Sequence, residues 1–583
     1  MPPSALQPSL QSAAARLNAG DLEEAGRLCA SILAEAPRET TALHILGAVR
    51  LRQNDPHTAV DLLTRAHRTS PRDGEIMTNL GAAHRAAGAP ASAADILKKA
   101  VKVAPGSAAS HLNYANALAE TGDTDKAERH FRRALQIAPA HPAALRGLAD
   151  LLVRTDRPDS ALRLFERLDA CIPDDPATLN AIGALRAGAG DDAGAETALR
   201  AAHALDPSNA GIAGNLANVL ACLYRCDEAL ALYETALDAA PDEPDTLANM
   251  ANVCRRRGDA ERAAALYERA LRFDPDHVEA NAGLANCLLA RGNFAAGWRR
   301  YLRRDSVRLA EASLLREKLP ADLTGRRLTV IADQGLGDEI FFLRFAAELR
   351  ARGAAVAYRP EPRLAPLLAR AAIVDEILPP DAARADGETI AVGDLPFLLG
   401  TDDDMRPPPS ISIPTDPTNE QALRTRLEAF GPPPWVGVTW RAGTANRQRL
   451  LFKEAPAEML AAALPAAATV VAVQRGAATG EIDDFARRLG RPVLDLSGAN
   501  DDLEDLLALS GLLDTYVAVS NTMVHLRAAR GRTSRVLVPV PAEFRWMSSG
   551  AESPWFPGCP VYRQSADGGW AAAFARLKND LER

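Results

Sequence analysis

Small and apolar positions recur through the first half of the chain with a period of 34 residues, which predicts a stack of helical hairpins. Ala25, Ala59, Ala93, Ala127, Ala161, Ala195, Ala229 and Ala263 each stand twelve residues before a member of the ladder Pro37, Pro71, Pro105, Pro139, Pro173, Pro207, Pro241 and Pro275. A small residue at that point predicts two helices crossing closely. Gly47, Gly81 and Gly183 fall early in first helices, Gly88, Gly122, Gly190 and Gly258 fall at turns, and Phe131, Phe165, Tyr233 and Tyr267 fill second helices. After "GNFAAGWRRYLRRD" (292–305) the pattern changes to short β-branched runs alternating with helical stretches, the signature of an α/β domain. Strands are predicted at 328–332, 355–359, 435–440, 469–474, 492–497, 515–520 and 535–540.

The ladder resembles the tetratricopeptide family over residues 6–305, which implies an α-solenoid superhelix with a concave groove for a polypeptide. Asn79, Asn113, Asn215 and Asn249 share one repeat position, and Asn116, Asn218, Asn252 and Asn286 share the position three residues later. That spacing puts both sets on one helix face. Asparagine is a mediocre helix former, so its recurrence asks for another cause. Its carboxamide can donate to and accept from an extended peptide backbone without reading side chains. The alternative is that the amides bridge neighbouring repeats. Gly147 and Ala181 interrupt the series.

The second half predicts two Rossmann-type lobes meeting at a cleft, with ligands at the carboxyl ends of parallel strands. The expected organisation is an array at 1–305, a charged connector at 306–324, a first lobe at 325–410, an interlobe segment at 411–434 and a second lobe at 435–583. Residues 326–352 resemble the opening of the bacterial heptosyltransferase-type GT-B enzymes, with "DQGLGDEI" (333–340) after the first strand. Residues 515–578 resemble the closing segment of bacterial tetratricopeptide proteins with the same module: "VSNTMVHLRAARG", "FRWMSSGAESPWFPG" and "GGW". Together these resemble tetratricopeptide-fused flagellin glycosyltransferases and, more distantly, eukaryotic O-GlcNAc transferase. The chain departs from the commoner pattern in having Ser520-Asn521-Thr522 where an Asp-Thr or Asp-Ser pair often stands.

The resemblance implies an inverting, metal-independent transfer from a nucleotide sugar, either a CMP-linked nonulosonic acid such as pseudaminic or legionaminic acid or a UDP-sugar, onto Ser or Thr of flagellin or another protein acceptor. It makes Asp338 the candidate base for the acceptor hydroxyl. Asp338 as a helix N-cap is the competing reading, and Glu339 is a neighbour able to share the work. Gly335 and Gly337 allow the backbone to approach a ligand. Ser520, Asn521 and Thr522 open a helix whose free N–H groups suit a phosphate. His525 follows on the same face and donates to phosphate best when protonated; a packed histidine is the alternative. Arg441, Thr444 and Lys453 are expected near the leaving nucleotide, Gln474 at a nucleobase edge or ribose, and Arg545 with Trp546 over the sugar.

Composition narrows the choice. With 47% hydrophobic and 24% charged residues the chain is not disordered. A net charge of −8 gives no general attraction to nucleic acid. The most apolar stretch, 461–473, is too short for a membrane span. Seven cysteines without a C-x-x-C pair suit a reducing, cytoplasmic compartment. No metal or cofactor is expected, and Asp402-Asp403-Asp404 reads as a solvated loop. Two other functions stay open: a non-catalytic adaptor or chaperone with a degenerate transferase domain, and a saccharide or lipopolysaccharide glycosyltransferase.

Overall fold

The computed structural model describes residues 3–304, 317–380, 388–404, 406–442 and 453–583. The chain divides into two compact units, Met1–Pro207 and Ser208–Arg583. The first is all helical, from Pro3–Asn18 to Asp192–Leu205, each helix packing on the next. The ladder alanines within it have no exposed surface, as a close helix crossing requires. Four of the six second helices start on an aspartate: Asp21, Asp55, Asp123 and Asp191 each accept a hydrogen bond from a backbone N–H in the first turn, while Ala89 and Arg157 begin the other two without a side-chain cap. Each such cap is worth about 1 kcal/mol. They stop one residue before a ladder proline, as at Ala36 before Pro37 and Ser70 before Pro71, because proline offers no N–H and drives its predecessor out of the helical region.

Two positions of the asparagine series are glycines packed against an aromatic ring. A Cβ at Gly147 would lie 2.6 Å from Cε1 of Phe131, so the aromatic ring occupies the space a side chain would need. Gly283 is excluded in the same way, its Cβ position lying 2.2 Å from Cζ of Tyr267.

The second unit begins with the remaining repeats, up to the helix Phe294–Tyr301. Two sheets follow. The first comprises β1 (Arg327–Ile331), β2 (Ala355–Arg359), β3 (Glu376–Ile377) and β4 (Glu388–Ala391), all parallel in the order β3-β2-β1-β4. The second comprises β5 (Trp435–Thr439), β6 (Thr469–Ala472), β7 (Leu494–Asp495), β8 (Thr515–Val519), β9 (Arg535–Val538), β10 (Glu552–Ser553) and β11 (Phe556–Arg563). Its order is β10-β11-β9-β8-β5-β6-β7, parallel except for the β10–β11 pairing. From β7 to β11 this is the doubly wound order 3-2-1-4-5-6, which places a crevice between β5 and β8 where the winding reverses. Every residue of β5 is buried, as expected of a strand covered on both faces.

The expected strands are present, most of them shorter by a residue or more at the carboxyl end. The segment 411–434 carries a helix, Pro417–Phe430, whose Leu423 and Leu427 join the main core with Leu503 and Leu507. The last repeat joins that core as well. Trp298 is fully buried and meets Phe544, Phe342 and Trp555 edge-on at centroid distances of 5.4, 6.0 and 6.0 Å. Asp402, Asp403 and Asp404 are exposed in a loop, where the Asp403 carboxylate accepts the Ala295 N–H at 2.9 Å. Connector residues 305–316 lie outside the described residues.

Candidate active site

After β1 the chain turns through Asp333 and Gln334 into the helix Leu336–Phe342. The turn is fixed from below. Arg304 Nε donates to Asp333 Oδ2 at 2.8 Å and Nη1 to Asp394 Oδ1 at 2.5 Å, while the Gly393 N–H donates to Asp333 Oδ1 at 3.2 Å. Burial works against the Arg304 charge, but the Asp394 and Asp333 carboxylates outweigh it and raise its pKa. Gly335 is the N-cap, so Asp338 is the third residue of the helix and not its cap. One Asp338 oxygen, Oδ1, pairs with Arg545. Glu339 points away into the first lobe, where its Oε2 accepts the Tyr358 hydroxyl at 2.7 Å and burial raises its pKa to about 7. It does not share the cleft with Asp338.

The opposite wall is built by β5, β6 and β8. Asn521 Nδ2 donates to the Tyr516 hydroxyl at 2.9 Å, that hydroxyl meets Thr439 Oγ1 at 2.7 Å, and Thr439 donates to the Val473 carbonyl at 2.8 Å. This chain of bonds ties together the carboxyl ends of the three strands. Asn521 Oδ1 also caps the helix Thr522–Ala529 by accepting the Val524 N–H at 3.2 Å. Its side chain is therefore structural; Ser520 and Thr522 line the cleft beside it.

The two walls touch at Gly337. A Cβ there would lie 3.1 Å from Cδ2 of His525 and 3.7 Å from Cα of Thr522, so a larger residue would push apart two helices that begin side by side. Gly335 has φ −74° and no comparable crowding; any residue type suits its backbone.

His525 corrects the expected imidazolium. The ring is buried against Phe341 and Phe556, and burial, reinforced by the Arg344 and Lys453 cations, pushes its pKa down to about 3. It is neutral near pH 7 and its Nδ1 is buried without a partner. A consequence follows for stability. The ordinary histidine value is 6.5, so below it the unfolded chain takes up a proton that the folded chain refuses. The His525 contribution to stability is then lost as pH falls from 6.5 towards 3, by roughly 2 kcal/mol between pH 7 and 5. All six tryptophans lie in the second unit. Glu339, its pKa raised to about 7, gains stability over the same range, so the readout is the pH 7-to-5 change in His525→Gln set against that in wild type by tryptophan-fluorescence urea titration, which reports on this unit. The two changes should differ by roughly 2 kcal/mol.

Together these elements enclose a cleft of about 310 Å³ lined by Gly335, Gly337, Asp338, Arg441, Lys453, Ser520, Asn521, Thr522 and His525. Arg441 pairs with Glu481 at 2.8 Å and Lys453 with Glu543 at 2.8 Å. Arg545 bridges Asp338 and Glu543, the latter at 3.4 Å, completing an alternating chain of charge. The sequence missed Arg363, Arg475 and Asn500, which also line the cleft. Arg475 lies just past β6, beyond Val473 and Gln474, the one signal that pointed to it, and its exposed side chain has no partner among the described residues.

Three expected positions fall elsewhere. Gln474 is fully buried, accepting the Trp440 and Arg441 N–H groups at 3.2 Å and donating to the Arg441 and Arg475 carbonyls; its amide is consumed by the backbone and cannot read a base. Trp546 is buried and stacked on Phe556 at 4.9 Å, away from the cleft. Thr444 lies outside the described residues. A larger cavity of about 670 Å³ is lined by Trp440, Glu454, Glu458, Glu481 and Trp570. Its carboxylates make it unsuited to phosphate.

The asparagines are not equivalent. Asn79 donates to His44 Nε2 at 2.7 Å. Asn218 and Asn252 accept the hydroxyls of Tyr233 and Tyr267 in their own repeats, and Asn252 is buried, so a guest cannot reach its oxygen. Asn215 is half-buried, as are Asn113, Asn116, Asn249 and Asn286, and these last four carry no side-chain hydrogen bond among the described residues.

Tetratricopeptide repeat models match residues 84–133, 118–185, 208–276 and 249–315. The chain is 27% identical over 320 residues to Protein FlbA of Caulobacter vibrioides, covering 50% of this chain and 52% of that protein. It thus spans about half the length of this curated relative. Among solved structures it is similar to YrrB, a TPR protein with an unusual peptide-binding site, at 20% identity over 32% of this chain and 96% of that one, TM-score 0.29. It is also similar to TTC0263 of Thermus thermophilus at 25% identity over 30% and 94%, TM-score 0.27. The chain carries tetratricopeptide repeats followed by an α/β region with parallel sheets. Among the described residues no helix is long and apolar enough to cross a membrane.

Proposed function

We propose that the chain is a cytoplasmic protein O-glycosyltransferase whose repeats capture a polypeptide and whose cleft holds a nucleotide sugar. The observation that carries this reading is the convergence at one cleft of two helix N-termini, a carboxylate and several cations, at the carboxyl ends of β1, β5, β6 and β8. An acceptor hydroxyl attacks the anomeric carbon and the bond from that carbon to the phosphate oxygen breaks. The hydroxyl proton passes to Asp338, whose Oδ2 is left open while Arg545 holds Oδ1. The departing phosphate is stabilised by Lys453, Arg475 and the backbone N–H groups of Thr522 and Met523, with no step assigned to a metal. By resemblance the acceptor is flagellin, and the donor a CMP-linked nonulosonic acid or a UDP-sugar.

One observation favours a second reading, a non-catalytic adaptor: Arg441, Lys453, Arg545 and Asp338 all have ionic partners within the protein. Incubating the full chain with flagellin and CMP-pseudaminic acid or UDP-sugars, followed by intact mass measurement, separates the two. Increments of one sugar mass are expected. Flagellin that co-purifies with the chain yet never gains mass with any of these donors would make it an adaptor.

A further inference from the structure

We infer that Tyr301 and Arg304, at the end of the last repeat, are positioning residues for the loop that carries Asp338. Through them the terminal repeat sets the acceptor side of the cleft. This rests on the proposed role of Asp338 for its catalytic consequence, but not for the structural link itself.

Tyr233, Tyr267 and Tyr301 follow the 34-residue period, and fifteen residues before each stands Asn218, Asn252 or Asn286. In the first two pairs the tyrosine hydroxyl donates to its asparagine. The third pair breaks the series: Tyr301 donates to Oε1 of Gln334 at 2.8 Å, and Asn286 is left without a hydrogen bond among the described residues. Gln334 stands four residues before Asp338. The hydroxyl that braces the interior of a repeat elsewhere is here turned to the cleft loop.

Arg304 strengthens the link one residue earlier in the same loop, through Asp333, and its guanidinium lies 4.8 Å from the centre of the Tyr301 ring. The approach depends on Gly393. A Cβ there would lie 2.5 Å from Gln334 Nε2 and 2.6 Å from Arg304 Nη2, so only glycine lets the repeat and the loop meet. Two consecutive loop residues are thus held by two residues of one repeat. The Tyr301 ring itself is anchored separately, edge-on to Trp298 at 5.5 Å and Phe544 at 5.9 Å, so the hydroxyl can be removed without unseating it.

The test compares full-length wild type with Tyr301→Phe. Tyr562→Phe, which loses a hydroxyl bonded to Asp580 at 2.9 Å in the same unit, serves as the control. Hydrogen exchange of residues 333–342 should be about 2- to 10-fold faster in Tyr301→Phe, the range expected for one lost hydrogen bond, and unchanged in Tyr562→Phe. Turnover with flagellin and CMP-pseudaminic acid should fall by a similar factor, with the KM for flagellin unchanged. Unaltered exchange in Tyr301→Phe, or equal acceleration in Tyr562→Phe, overturns the link. Faster exchange with undiminished turnover overturns its catalytic consequence. A wild type that transfers no sugar defeats the proposed function instead, and the exchange comparison still decides the link.

Discussion

Asp338→Asn should lower sugar transfer by roughly 10²- to 10⁴-fold, the range expected when a positioned general base is removed, while leaving nucleotide and polypeptide binding in place. Asparagine keeps the shape and an oxygen for Arg545 but cannot take the acceptor proton. Arg545 is buried and retains Glu543 at 3.4 Å, so the fold should survive loss of the Asp338 charge. The check is a single-turnover rate at saturating donor, read by intact mass beside the wild type. Glu339→Gln is a useful contrast: that carboxylate faces Tyr358 and the Glu361 N–H, so transfer should change far less. Equal losses in both variants would mean that the first-lobe fold, and not the base, had been damaged.

The second large effect concerns the joint between repeats and sheets. Arg304 sits between Asp333 and Asp394, carboxylates with no exposed surface. Arg304→Met removes the cation shared by the two buried carboxylates, and loss of one partner of such a buried pair costs roughly 3–5 kcal/mol. Because every tryptophan lies in the second unit, urea titration followed by tryptophan fluorescence reports the loss without interference from the first. Arg304→Lys should fall between wild type and methionine, since an ammonium cannot reproduce the fork that spans both acids. A midpoint unchanged in Arg304→Met would remove the joint from this account.

These two sites also show what the chain makes legible in one dimension. The helical hairpins are local objects. Alanine at the crossing, an acidic cap and proline past the end each act within one repeat, so a period of 34 is enough to place them. The strands were legible for the same reason, as β-branched runs between turns, with Ala355–Arg359 placed to the residue. Cleft-lining positions were legible in the turns that follow strands, Ser520 and Thr522 after β8 and Arg441 after β5, whereas Asp338 was singled out by the family resemblance.

What escaped is whatever depends on a distant partner. Gln474 also follows a strand, and only the folded neighbourhood makes its amide staple the neighbouring strand end. His525 is charged or neutral according to how many rings cover it, which spacing does not encode. Asn252 looks like Asn116 in the repeat register, yet a tyrosine fifteen residues later claims its oxygen where Asn116 has Phe131. Arg304 meets Asp394 across 90 residues, and nothing in "YLRRD" marks which arginine will be buried. The short parallel pairing of β11 with β9 was hidden in a segment rich in glycine and proline.

Sugar transfer at this site requires first of all that the cleft hold a nucleotide. Calorimetric titration of CMP and of UDP into the full chain tests this without a protein acceptor. At least one should bind with micromolar affinity, and Lys453→Ala and Arg475→Ala should each weaken that binding about tenfold or more. No binding of either nucleotide at millimolar concentration, or binding indifferent to both substitutions, would contradict it.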